Sequence, residues 1–250
     1  MNQLRTQRKR LFFDIETSPN IGLFWEAGYK KNIDYSNIIK ERAIICICYK
    51  WEDDEDVKYL TWDSRQNDKK LLLEFIKIAN QADELVGHNA KKFDLAWVRT
   101  RCLFHDIDMF PNYIVIDTLT IARSKFRFNS NKLDYIGKFL KLGEKIGTSY
   151  QLWTSIILDK NKESLEEMVK YCQQDVILLE KIYSRLKNHI EPKTHFGVIF
   201  KQSKKDCPEC GSDDVVIHGF RVSTAGGKYK RLQCRTCGKH FKLFESQKES

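Results

Sequence analysis

Apolar and polar positions along this chain separate strand-forming stretches from helix-forming ones. The run 9–16, KRLFFDIE, reads as a strand, and so does 43–51, AIICICYKW, an Ile-rich stretch bounded by charges. A third strand at 56–62, DVKYLTW, would close a hairpin with the second across the acidic turn 52–55. In 68–80, DKKLLLEFIKIAN, the spacing of Leu and Ile predicts an amphipathic helix with Asn67 or Asp68 as its cap. A buried strand, ELVGH, precedes a helix running to about Phe104; 113–117 is a further strand, and two or three helices fill 118–158. The longest helix is expected over 165–188, opened by Ser164 with Glu167 three residues on, and closed before Pro192. A set of strands ahead of alternating helices predicts an α/β fold, a mixed sheet flanked by helices.

This scaffold carries four carboxylates of interest. Asp14 and Glu16 are two apart on the first strand and share a sheet face, which leaves Phe13 and Ile15 to the other. Asp94 stands at the start of a helix, and Asp175 lies inside the long one, four residues after Tyr171 and therefore on the same helix face. Singly, each has a plain explanation: a solvated strand end, a carboxylate favoured by a helix N-terminus, a surface Asp. Together they suit phosphodiester hydrolysis, in which two divalent ions about 3.5–4 Å apart hold the attacking and leaving oxygens. Hard ions such as Mg²⁺ or Mn²⁺ take oxygen ligands.

The segments FFDIET, GHNAKKFD and YCQQD resemble, in order and spacing, the three motifs of the DEDD exonucleases of the ribonuclease H-like superfamily. The nearest resemblance is to the proofreading domain of family B DNA polymerases, and it covers about residues 9–190. It implies a ribonuclease H-like sheet and two catalytic Mg²⁺ or Mn²⁺ ions, with Asp14 bridging both, Glu16 and Asp175 completing one site, and Asp94 holding the second ion. Tyr171 stands where the Tyr-type subgroup places its tyrosine, and Lys170 occupies the position of the alternative histidine, so the chain resembles a DEDDy enzyme. Tyr171 would orient the attacking water. Asn89 matches a substrate-contacting Asn, although a turn residue explains it almost as well. His88 belongs to the second motif and reads as structural or near the substrate. Asp117 and NKLDYIGKFL also resemble family segments without an assigned role, and Lys145 could approach a phosphate but reads better as a solvated surface lysine.

Charge and cysteines single out the other end of the chain. The net charge is +9, and residues 201–250 hold eleven Lys/Arg against six Asp/Glu, while the first 200 hold 32 against 28. The basic excess therefore concentrates in the last fifth, which favours a polyanionic partner there. Cys207, Cys210, Cys234 and Cys237 form C-x₂-C-x₂₃-C-x₂-C, each pair followed by Gly, a pattern for one tetrahedral Zn²⁺. Cys46, Cys48, Cys102 and Cys172 sit in apolar surroundings without such spacing. The stretch 219–242 has seven Lys/Arg and no Asp/Glu, interleaved with Phe220, Tyr229 and Phe241, a composition suited to phosphates and unpaired bases. The module is similar to the zinc ribbons found beside transposases. Arg221, Lys228, Lys230, Arg231 and Arg235 are its candidate substrate contacts.

The expected organisation is an exonuclease domain over 1–200, a zinc ribbon over 201–243 that begins with the polar linker 201–205, and a tail over 244–250. The expected activity is 3′→5′ hydrolysis of DNA, single-stranded rather than duplex. The alternatives are an exoribonuclease, with RNA as partner, or a catalytically silent nucleic-acid-binding protein. A proofreading role would serve a separate replication or repair protein. No apolar run approaches the roughly 18 residues that span a bilayer. The apolar stretch before Asp14 is shorter than the about 7–15 residues of a signal peptide, so a cytoplasmic location is expected.

Overall fold

A computed structural model describes residues 8–26, 28, 33–52, 54–145, 147–200 and 203–244. Linker residues 201 and 202, Asp53 of the acidic turn, and tail residues 245–250 lie outside the described set.

The first strand, β1 (Arg10–Thr17), is the centre of a five-stranded sheet. A short hairpin follows, β2 (Ile21–Gly22) with β3 (Ile38–Lys40), which the hydrophobic pattern did not announce. Then come β4 (Ile44–Trp51), β5 (Lys58–Thr61), α1 (Lys69–Ala79), β6 (Glu84–Gly87), α2 (Asp94–Phe104) and β7 (Val115–Asp117). The sheet order is β5-β4-β1-β6-β7. β4 pairs antiparallel with both β1 and β5, while β1–β6 and β6–β7 are parallel, so the sheet is mixed, as expected. Helices α3 (Thr118–Lys125), α4 (Leu133–Phe139) and α5 (Tyr150–Thr154) lead into one π turn and then α6 (Lys162–Leu186).

Strand alternation sends β1 side chains to two helical layers. Phe13 meets Phe75 of α1, with ring centroids 5.4 Å apart, and Phe12 meets Tyr183 of α6 at 5.5 Å. Phe12, Asp14 and Glu16 therefore face α6. The apolar stripe of α6 (Met168, Cys172, Leu179, Ile182, Leu186) has helical spacing, and Asp175 lies on that stripe with 1% exposure. The helix begins three residues before the expected start. Its cap is Asn161, whose side chain accepts from the Ser164 N–H at 2.9 Å, so Ser164 is the capped residue rather than the cap.

After α7 (Phe196–Ile199), strands β8 (Val215–Val222), β9 (Lys228–Cys234) and β10 (His240–Phe244) form a three-stranded antiparallel sheet in the order β10-β9-β8. This small sheet is pinned to the starts of β1 and β6 by buried charge. Arg10 (1% exposed) binds Glu84 at 2.8 Å and approaches Glu209 at 3.4 Å, and Arg8 meets Glu209 at 2.8 Å. Lys239 donates to the Lys187 carbonyl and faces Glu209 at 3.9 Å. Among the described residues no helix is long and apolar enough to cross a membrane.

Candidate active site

The sequence places Asp14 and Glu16 on one strand face, and the sheet aims that face at α6. There Asp175 joins them: the ligand oxygens of Asp14, Glu16 and Asp175 all lie within 4.8 Å of one another. Asp94, the first residue of α2, stands beside them and accepts from the Ile15 N–H at 3.2 Å. Crowding at low exposure disfavours ionisation. Burial and then Asp94, Glu16 and Asp175 hold the Asp14 carboxyl well above its ordinary range. Burial followed by Asp175 pushes Glu16 up to about 8. Burial, with a smaller push from Asp117, raises Asp94 to about 7 against the pull of its own amide and that of Ile15. Such a cluster calls for a cation.

One cation comes from the chain itself. Lys145 bonds to Asp175 Oδ2 and lies 3.4 Å from the Tyr171 hydroxyl, so it is no solvated surface lysine. Its ammonium is held charged by Asp175 and Asp14 against the opposing effect of burial. It leaves one oxygen unserved: Asp175 Oδ1 is buried without a hydrogen-bond partner among the described residues. An unsatisfied buried carboxylate oxygen inside a three-carboxylate cluster fits a divalent cation of the oxygen-seeking kind. Asp14, Glu16 and Asp175 are the residues that can hold it, with Asp94 adjacent.

The second motif serves mainly to build this end of the sheet. Asn89 sits in the left-handed region at φ 68°, and Asp117 accepts from the Asn89, Lys91, Leu119 and Thr120 amides, which ties the turn after β6 to α3. The backbone of Asn89 thus shapes the turn, and its side chain remains the candidate substrate contact. His88 bridges the Thr118 hydroxyl and the Asn131 carbonyl at 2.9 Å each, and burial lowers its pKa. Behind the carboxylates, Cys46, Cys48 and Cys172 converge with sulfurs within 4.8 Å, and the Cys172 thiol lies 3.5 Å from the Asp14 carbonyl. Cys46 and Cys48 pair with Glu16 and Asp14 across the sheet, so the alternation of β4 was the available signal, while the approach of Cys172 had none. Cys102 stays apart from this trio. A cavity of about 640 Å³ on another side of α6, lined by Trp62, Gln66 and Gln173, contains none of the carboxylates.

The four C-terminal cysteines form the second cluster. Their sulfurs lie within 4.8 Å, with Cys207–Cys237 and Cys210–Cys234 both at 3.6 Å. Tetrahedral Zn–S bonds of about 2.3 Å place sulfurs about 3.8 Å apart, so the thiols fit Zn²⁺. Gly211 (φ 75°) and Gly238 (φ 76°) close the two knuckles in a conformation that favours glycine, their amides bonding Cys207 O and Cys234 O. Burial opposes ionisation of Cys234, yet the amides of Cys237 and Thr236 bring it down to about 7.

Of the basic residues in this ribbon, Arg221, Lys228, Arg231 and Arg235 are exposed and Lys230 half-buried over the Phe220 ring. Lys239, by contrast, is fully buried, and Phe241 (7% exposed) packs with Leu232 and the cysteines as the ribbon's own core. Neither is available to a nucleic acid as its sequence context suggested. A 40-residue module has too little apolar interior to spare either one.

A mixed sheet carrying clustered carboxylates on its central strand, flanked by helices, defines a ribonuclease H-like α/β protein with the ingredients of a nuclease. Residues 11–187 match the RNase H superfamily, and the chain belongs to it. Among solved structures it is similar to the family B DNA polymerase from the hyperthermophilic archaeon Pyrobaculum calidifontis, at a TM-score of 0.55 and 14% identity. That likeness covers 75% of this chain and 26% of the polymerase, so the chain spans about a quarter of that protein, and it speaks to the fold. Comparison with curated proteins finds no match.

Proposed function

We propose that the protein is a metal-dependent 3′→5′ exonuclease of the DEDDy type, acting on single-stranded DNA. The observation that carries this reading is the trio Asp14, Glu16 and Asp175 with the unserved Asp175 oxygen, set beside Asp94 and Tyr171. Mg²⁺ or Mn²⁺ held by these carboxylates would supply an activated water and stabilise the leaving 3′-oxygen. The chain's residues do the rest. Asp14 on β1 and Asp94 at the start of α2 bring two carboxyls that burial keeps reluctant to ionise unless a cation is present. Tyr171 presents its hydroxyl to the cluster and orients the attacking water by a hydrogen bond. Lys145 balances part of the carboxylate charge and offers its ammonium to a non-bridging phosphate oxygen. The presence of all five residues in working proximity disfavours a catalytically silent binding protein.

The ribbon, held by one structural Zn²⁺, assists nucleic-acid binding through Arg221, Lys228, Lys230, Arg231 and Arg235. The test is incubation of the purified protein with 5′-labelled DNA and RNA oligomers, with and without Mg²⁺ or Mn²⁺. A ladder shortening from the 3′ end, dependent on the ion and absent in Asp14→Ala and Asp175→Ala, is expected. Full activity in either variant sinks the proposal, and faster loss of RNA than of DNA transfers it to an exoribonuclease.

A further inference from the structure

The ribbon's basic residues do not act as an isolated patch. Between the ribbon sheet and the segment that follows α6 runs a groove of about 710 Å³, walled by both parts of the chain. The ribbon supplies Arg231, Lys242, His218 and His240, and the nuclease part supplies Lys125, at the end of α3, and Lys193. All six are exposed. Among the described residues, Glu191 is the one carboxylate in the lining. Lys242 bonds it at 2.5 Å, and Lys242, Lys125 and Lys193 together hold its carboxyl below the ordinary range. One carboxylate against three lysines and an arginine leaves the groove with a cationic surplus. Phe244, 61% exposed, also lines the groove at the far end of β10 from His240, its ring against Tyr229.

We infer that this seam is a binding track for single-stranded nucleic acid, made jointly by the ribbon and the nuclease domain. The chemistry fits a strand: cations spaced along a groove meet phosphates, and Phe244 with the imidazoles of His218 and His240 gives unpaired bases a stacking surface. The inference rests on the nuclease reading only for its direction, since the groove's charge and rings stand independently of catalysis. The distance to the carboxylates is set by α6. Asp175 precedes Asn188, the start of the groove lining, by thirteen residues, which is about 20 Å of helix. A stacked strand rising about 3.4 Å per nucleotide covers that span in about six nucleotides. A strand whose 3′ end sits at the carboxylates therefore reaches the groove only when it is longer than that. The composite wall also gives the buried Arg8–Glu209–Arg10 clamp a purpose: it fixes the ribbon so that Arg231 and Lys193 face one groove.

The experiment uses the full-length, zinc-loaded protein. Fluorescence anisotropy with labelled oligothymidylates of about three and about twelve nucleotides is measured across a salt series at fixed Ca²⁺, a hard divalent ion that lets the 3′ end seat at the carboxylates, for wild type, Lys125→Ala/Lys193→Ala and Arg231→Ala. Both variants should bind the longer oligomer more weakly. The double variant should show a salt slope lower by about 1.4, which is about 0.7 for each phosphate left without its lysine. Binding of the shorter oligomer should not change, and Glu191→Gln should tighten the longer one. If the nuclease-side double variant binds like wild type, the groove is not a joint track, and the same conclusion follows if both lengths weaken equally. In parallel, wild type is assayed for hydrolysis of the longer oligomer with Mn²⁺. Absence of hydrolysis with length-dependent binding intact would remove the exonuclease reading and leave the groove standing.

Discussion

Replacing Asp94 with Asn separates the charge of the acidic site from its shape. Asp94 is 2% exposed, and burial lifts its carboxyl from 3.8 to about 7. Over that interval the folded, metal-free protein binds more protons than the unfolded chain, so stability falls as pH rises from about 4 to about 7. The stabilising protonated form is complete below the unfolded value and lost above the folded one. At about 1.36 kcal/mol per pH unit the displacement corresponds to about 4 kcal/mol, a ceiling because Asp14 and Glu16 compete for the same protons. An Asn keeps an oxygen for the Ile15 N–H, so the hydrogen bond at 3.2 Å survives. Asp94→Asn should therefore raise the stability of the metal-free protein by about 2 kcal/mol near pH 8 and leave it nearly unchanged near pH 4. For a chain of this size that is a Tm increase of about 4–8 °C. Adding Mg²⁺ or Mn²⁺ should stabilise wild type at the higher pH by mass action and the variant much less, so the order of the two reverses. Thermal unfolding across pH, with and without the ion, reads both effects. An equal change at both pH values, or a larger one in acid, would refute the idea that burial of an ionised Asp94 costs the metal-free fold stability.

Two further outcomes are expected. Tyr171→Phe should lower kcat by roughly 10²–10⁴-fold with little change in the metal-induced Tm shift, and a loss confined to KM would make Tyr171 a substrate contact instead. Glu209→Ala takes from Arg8 its hydrogen-bonded carboxylate at 2.8 Å, leaving only Glu84 at 3.9 Å in a buried cluster, and should destabilise by roughly 3 kcal/mol in urea unfolding, with zinc content unchanged by elemental analysis; a wild-type midpoint would mean the ribbon is not clamped through Glu209.

The sequence alone determined whatever depends on local spacing. Residues two apart on a strand share a face, and residues four apart share a helix face; these rules gave Asp14 with Glu16 and Tyr171 with Asp175, and knuckle spacing gave the four clustered thiols. The alternation of strands and helices gave the mixed sheet. What joins these pieces was decided by tertiary structure, because it depends on contacts between residues far apart in the chain. No pattern around Lys145 announces that its ammonium reaches Asp175, 30 residues away, or that Cys172 comes to rest behind Asp14, 158 residues away. The same holds for Lys239 and Glu209: by composition they belong to an exposed ribbon, and by packing Glu209 is buried against Arg8 and Arg10 while Lys239 is buried facing Glu209 and the Lys187 carbonyl. Local pattern fixes which way a side chain leaves its own element. Only the packing of elements fixes what it meets there, since one buried ion pair or one helix crossing outweighs any preference encoded in the neighbouring residues.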